Sequence, residues 1–287
     1  MNRIPVICAP SLDIGADDNL RINEALVAEW LIAFLRDEIV RRRGFTQAVV
    51  GLSGGVDSSL AAFLLAAALG PKNVYGIRMP YRSSSPDSLN HAQLIADATG
   101  INMETVEITD PVDGYLRLAP DADARRRGNV MARVRMIVLF DQSQKLGTLP
   151  VGTGNKTERL FGYFTWHADD SPPVNPLGDL YKTQVWALSR YLGVPDVIVD
   201  KPASADLVVG QTDESDFGIS YPKADRILFY LLRGFTVDRM VEMGFPDADV
   251  RLVKRKVDAT HWKRHLPTTA MLSSTSINDY YLRPVDF

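Results

Sequence analysis

A single cysteine, Cys8, stands among 287 residues, so no disulfide can form within the chain and a reducing, cytoplasmic setting is expected. Long apolar runs are also missing. The longest, Leu60 to Leu69, suits a buried helix and is too short for a membrane span. The net charge of −3 leaves no basic surplus to draw nucleic acid. Zinc-type ligand clusters are absent, because Cys8 is alone and the four histidines are scattered. Residues 1–18 carry Pro5, Pro10 and Asp13, so they read as an extended N-terminal arm rather than a signal peptide. Neither a repeat nor a low-complexity linker divides the chain, and one domain over 1–287 is expected.

What is present is an alternation of strands and helices. Asn23 to Arg43 predicts a helix, with Leu26, Trp30, Ala33, Phe34 and Ile39 on one face and Gly44 at its end. "QAVVGLS", "NVYGIRM", "INMETVEI" and "TLPVGTG" read as strands. Between them fall helices over Asp57–Leu69, over the segment that Ser85 caps and Gly100 closes, and from Val130 to about Lys145. Thr183 to Leu192 predicts another, and the part beyond about Thr236 is mostly helical. The expected fold is α/β: a three-layer parallel sheet with helices on both faces and a helical C-terminal part. "ADDSPPVNP" and "GQTDESDFG" are polar loops of the kind that serve as lids.

"VVGLSGGVDSSL", Val49 to Leu60, has the outline of a phosphate loop without its lysine. A helix that starts straight after a strand offers unpaired N–H groups and a partial positive charge. Gly54 and Gly55 let a ligand reach the main chain, and Ser53, Ser58 and Ser59 add donors. Without a lysine to polarise the terminal phosphate, transfer of that group is not the expected task. Asp57 would repel a phosphate about 4 Å away by about 4 kcal/mol at an intermediate dielectric. Its gain from the helix dipole, about 0.3–1 kcal/mol, is too small to offset that. A divalent cation between the two would cancel the repulsion, and Mg²⁺ suits oxygen ligands. The plainer reading of Asp57 is a helix cap in a tight turn.

"SGGVDS" (Ser53 to Ser58) resembles the signature of the ATP pyrophosphatases, which cut ATP between the α and β phosphates. "GNVMARVRM", "VGTGNKTE", "GYFT", "GDLYKTQV" and "KPASADL" narrow the resemblance to the ammonia-dependent NAD⁺ synthetases, over about residues 20 to 270. That resemblance implies an adenine nucleotide alpha hydrolase-like fold, a homodimer, and amidation of deamido-NAD⁺ by ammonia through an adenylate, with ATP as substrate and Mg²⁺. It implies ATP contacts at Gly51, Leu52, Ser53, Gly54, Gly55, Val56, Asp57, Ser58, Thr153, Lys182 and Ser204, and metal ligands at Asp57 and Glu158. Lys182 and Asp57 would stabilise charge, with no side chain acting as nucleophile. Arg133 matches a contact to the dinucleotide, although it stands among five arginines between Arg125 and Arg135 that otherwise read as a solvated face.

The chain departs from the family where the substrate acid would bind. Trp166 replaces a lysine, and Pro173 falls nearest to the place of an expected aspartate, with Asp169 and Asp170 close by. In "HWKR", Lys263 keeps its place and His261 is displaced by one. Trp166 either stacks on a heteroaromatic ring or packs within a lid. No glutamine amidase domain fits in the 287 residues, so free ammonia, or ammonia passed from a partner, is the expected nitrogen source. Alternatives are an adenylating amide ligase of the same superfamily with a different acid, a tRNA-thiolating enzyme, and a non-catalytic nucleotide-binding module.

Overall fold

The structure, a computed structural model, describes residues 17–204, 212–265, 269, 270 and 272. Cys8 and most of the expected N-terminal arm lie outside the described residues. Its last two residues, Asp17 and Asp18, open a 3-10 turn, Asp17–Leu20.

Among the described residues, β1 (Ala48–Gly51), β2 (Val74–Arg78), β3 (Asn102–Thr105) and β4 (Leu149–Val151) form one parallel sheet in the order β3-β2-β1-β4. β1 pairs with β2 on one side, Val49 opposite Tyr75, and with β4 on the other, Val49 opposite Pro150. Alternate residues of β1 enter different cores. Ala48 and Val50 join one with α1 (Glu24–Arg36), α2 (Val56–Leu69), α3 (Pro86–Thr99) and α7 (Lys182–Leu192). Val49 joins another with α4 (Thr109–Leu116) and α5 (Ala124–Leu146). Each of the two valines is fully buried, worth about 1.5–3 kcal/mol. Helices on both faces leave both pleat directions apolar, which is why the strand sequence shows no alternation.

The remaining helices are α6 (Lys156–Phe161), α8 (Asp196–Val199), α9 (Asp213–Phe217), α10 (Tyr221–Leu231), α11 (Val237–Glu242) and α12 (Asp247–Thr260). An aromatic core of Phe161, Phe217, Tyr221 and Tyr230 unites much of this C-terminal part. Among the described residues no helix is long and apolar enough to cross a membrane.

Several elements differ from expectation. α1 stops at Arg36 and continues as a π-turn, Asp37–Arg41. Its buried face is Val27, Ala28 and Leu35, whereas Trp30 is 61% exposed. Of the expected face, Phe34 packs against the core and Ile39 is fully buried, while Leu26, Trp30 and Ala33 share a second apolar stripe that the core does not take. α5 begins six residues before Val130, because Asp123 accepts from the Arg126 N–H at 2.7 Å and caps it. Val130, Val134 and Val138 are half-buried beside Met131 and Leu139, and Ile137 is exposed. The expected lid "ADDSPPVNP" is docked: Val174 is buried and bridges to Val151 at the sheet edge, and Gly152 N–H donates to its carbonyl at 2.8 Å.

Candidate functional site

Neighbouring strands β1 and β4 lead to helices through their C-terminal ends, and a crevice opens where the chain order switches. The Ser53–Ser58 loop forms one wall and Thr153–Asn155 the other. Leu52 N–H still donates to Ile77 carbonyl at 2.9 Å, after which the chain leaves the sheet. Ser53 and Ser58 share a 3.0 Å hydroxyl contact, and Ser58 and Ser59 donate to the Gly55 carbonyl at 3.1 and 2.8 Å. Gly55 takes the cap position of α2 with no side-chain cap, which leaves its first-turn N–H groups for a ligand. Gly54 has φ +76°, and a Cβ there would come within 2.2 Å of the Ser88 carbonyl oxygen on α3. Only glycine satisfies both conditions.

Three predicted residues converge at the mouth of this loop. Lys182, at the start of α7, places Nζ 2.5 Å from Asp57 Oδ2 and 3.3 Å from Glu158 Oε1. Burial works to lower the lysine's pKa, but the two carboxylates outweigh it and hold the group above the usual lysine range. Burial pushes Glu158 up to about 8; Lys182 opposes this, and the charges of Asp57 and Asp213 add to it.

Residues not foreseen from the sequence fix this geometry. Asn155 Nδ2 donates to Asp57 Oδ1 at 2.9 Å. Its Oδ1 accepts from Glu158 N–H at 3.0 Å, while Glu158 reaches back to the Asn155 N–H, forming a capping box. The pattern Asn-x-x-Glu at 155–158 was the available signal. Asp225, fully buried on α10, accepts from Thr157 Oγ1 at 2.6 Å and from both Thr183 N–H and Oγ1, so one carboxylate ties α6, α7 and α10 together. The Tyr221 ring lies 5.2 Å from Lys182 Nζ, and its hydroxyl donates to Asp213 Oδ2 at 2.8 Å. No local pattern marks Asp225 or Tyr221, because their partners are distant in sequence.

A second group surrounds the "GYFT" loop. Arg133, on α5, donates from Nη2 to the Trp166 carbonyl at 3.2 Å. The Trp166 ring meets Trp262 edge-on at 5.2 Å and lies 4.1 Å from the His167 ring. Lys263 donates to the carbonyls of Gly162, at 2.6 Å, and Phe164. Two of its ammonium's three donors thus go to the main chain. Thr153 lies two residues beyond β4, half-buried at the crevice, and Pro173 is exposed within the docked strap. Ser204 borders residues 205–211, which lie outside the described residues together with the end of "KPASADL" and the start of "GQTDESDFG".

Among the described residues, no group of three or more His, Cys, Asp and Glu side chains could hold a metal ion by itself. Asp57 and Glu158 offer two carboxylates, and Asp213 nearby has a buried Oδ1 without a hydrogen-bond partner. One or two carboxylates completed by phosphate oxygens is the donor set that suits Mg²⁺. The residues fit a cation shared with a polyphosphate.

The profile of the NAD synthase family matches residues 27–267. The chain is 48% identical over 261 residues to an NH3-dependent NAD⁺ synthetase of Trichlorobacter lovleyi, covering 90% of this chain and 95% of the relative. It is 46% identical to one of Fusobacterium nucleatum, covering 89% and 99%. Among solved structures, an NMN synthetase from Francisella tularensis superimposes with TM-score 0.77 at 28% identity, covering 87% of this chain and 99% of that one. An NH3-dependent NAD synthetase from Campylobacter jejuni in complex with nitrate gives 0.75 at 27%, covering 87% and 100%. Sequence, fold and crevice agree: the chain belongs to the NAD synthase family.

Proposed function

We propose that the chain amidates deamido-NAD⁺ with ammonia at the expense of ATP, yielding NAD⁺, AMP and pyrophosphate. A carboxylate is a poor electrophile, so an AMP leaving group must first be attached. An oxygen of the nicotinate carboxylate attacks the α-phosphorus, the bond to the bridging oxygen breaks, and pyrophosphate leaves. Ammonia then attacks the acyl carbon, AMP departs and a proton is released. The N–H groups of the Ser53–Ser58 loop hold the departing pyrophosphate, where preorganised donors have most effect. Lys182, fixed by Asp57 and Glu158, supplies positive charge beside it. Asp57 and Glu158 would hold Mg²⁺, which when bound neutralises charge on the phosphates. Thr153 and Ser204 flank the nucleotide, and Arg133, Trp166 and Lys263 form the dinucleotide side. Positioning and electrostatics suffice, with no side-chain nucleophile.

The observation that carries this reading is the Asp57–Lys182–Glu158 cluster at the mouth of a glycine loop that has no lysine of its own. A pure binding module needs no such arrangement. The relatives named NH3-dependent NAD⁺ synthetases support the substrate. A second reading keeps the chemistry and changes the acid. The Francisella neighbour's name, NMN synthetase, and the departures at Trp166 and Pro173 favour testing the acid that corresponds to NMN. We also read residues 1–287 as one cytoplasmic synthetase domain that works as a homodimer. Exposed Ile137 and Phe140 on α5, the helix of Arg133, support a subunit contact there.

The test is turnover of the purified chain with ATP, Mg²⁺, ammonium and each acid in turn. AMP, pyrophosphate and NAD⁺ are expected in equal amounts with deamido-NAD⁺, and glutamine should not replace ammonium. Accumulation of ADP would sink the proposal, and preference for the mononucleotide would select the second reading.

A further inference from the structure

The Ser53–Ser58 loop contains no cation, and the ammonium of Lys182 is committed to two carboxylates. Another lysine approaches the loop from far along the chain. Lys201 follows α8 and donates from Nζ to Ser88 Oγ at 3.2 Å. Ser88 is buried in the first turn of α3, and its carbonyl is the group that abuts Gly54. Lys201 therefore reaches the residue that packs directly on the phosphate loop. Two helix N-termini meet there: that of α2, capped by Gly55, and that of α3, capped by Ser85. Among the described residues Lys201 has no carboxylate partner. An ammonium has three donors, and one neutral hydroxyl occupies one of them.

We propose that Lys201 supplies the ammonium that the Ser53–Ser58 loop lacks, contacting the outer phosphoryl groups of ATP and the pyrophosphate released from them. This rests on the adenylating reaction proposed above. A free pyrophosphate carries several negative charges. Asp57 and Glu158 neutralise none of them, and both draw on Lys182. A second cation, held at the residue that packs on Gly54, supplies what the local sequence omits. Lys201 is also three residues from Ser204, so one short segment would bring both a cation and a hydroxyl to the same phosphates.

The experiment is calorimetric titration of the full chain with pyrophosphate and Mg²⁺, and separately with deamido-NAD⁺, for the wild type, Lys201→Met and Lys201→Arg. Lys201→Met should bind pyrophosphate roughly 10- to 100-fold more weakly, the range for losing a hydrogen bond to a charged group. Its affinity for deamido-NAD⁺ should stay within about twofold, and Lys201→Arg, which keeps the charge, should recover most of the loss. Unchanged pyrophosphate affinity in Lys201→Met overturns the inference. So does an equal loss for both ligands with a lowered melting temperature in both variants, which would make Lys201 a strut between its segment and α3. Failure of the wild type to bind pyrophosphate would instead count against the adenylating reaction itself.

Discussion

Asn155 Nδ2 lies 2.9 Å from Asp57 Oδ1, joining residues 98 apart in sequence across the crevice between β1 and β4. The same side chain caps α6 through its Oδ1, so one amide sets both the aspartate and the helix that carries Glu158. Asn155→Ala should cost about 1 kcal/mol through the cap, up to about 2, and should lower kcat as Asp57 loses its orientation. Asn155→Asp separates the two roles. It keeps a capping oxygen but turns a carboxylate toward Asp57, so chemical denaturation should change less than in the alanine variant while kcat falls further. Equal kcat in all three proteins would remove Asn155 from the site.

Lys182 is almost wholly buried with two carboxylates against it. Removing one partner of a buried ion cluster leaves the others uncompensated, at about 3–5 kcal/mol. Lys182→Met should therefore lower the urea midpoint strongly and reduce kcat by roughly 10²- to 10³-fold, the scale seen when one preorganised donor is lost. Lys182→Arg keeps the charge but not the shape. It should regain stability more than rate, since a planar guanidinium cannot place a point charge where Nζ sits. Recovery of full activity by arginine would show that charge alone matters here.

Asp225 predicts a pH dependence of stability. Burial pushes its carboxyl up to about 6, against the lowering effect of the Thr157 and Thr183 hydrogen bonds. Between about pH 4 and pH 6 the folded chain keeps a proton that the unfolded chain has released. Stability from this site is then greatest below the unfolded pKa and falls as pH rises, by about 3 kcal/mol in all. Asp225→Asn removes the titration. The stability difference between wild type and variant should shrink from pH 4 to pH 6 and stay level above it. Denaturant unfolding across that range checks the sign, and a difference that widened with pH would refute the assignment.

The sheet was legible in the sequence because β1, β2 and β4 are buried on both faces and read as apolar runs ended by glycine or polar turns. α3 was legible to the residue, since Ser85, Pro86 and Gly100 are local signals. The face of this first helical segment was legible only in part: Phe34 and Ile39 join the core, but Leu26, Trp30 and Ala33 do not, because two apolar stripes compete and only the tertiary core decides between them. Asp57, Glu158 and Lys182 could be named from their motifs, but not their mutual contacts, which depend on β1 and β4 being neighbours. Asp225 and Tyr221 escaped notice for the same reason. "ADDSPPVNP" was misleading in a different way: its prolines and acids suggest a free loop, while Val174 bridges to the sheet edge and Asn175 Nδ2 donates to the Gly154 carbonyl at 2.8 Å.

Trp166 decides whether the departure from the family's lysine has a function. Its ring meets Trp262 edge-on and lies 4.1 Å from the His167 ring, so the indole has a neighbour on two sides. A ring held in this way loses little entropy when a heteroaromatic group stacks on it. Trp166→Ala should raise KM for deamido-NAD⁺ about tenfold, the equivalent of about 1.4 kcal/mol of lost stacking. KM for ATP should stay within about twofold, because the contacts of Trp166 are to His167, Trp262 and Arg133 and none is to Asp57, Glu158 or Lys182. Trp166→Phe should recover most of the loss, whereas Trp166→Lys should recover it only if the family's charge contact remains possible at this position. The contrast with packing is direct. If Trp166 serves only to brace Trp262, the alanine variant melts at a lower temperature while KM for deamido-NAD⁺ stays at the wild-type value, and the indole has no place in substrate recognition.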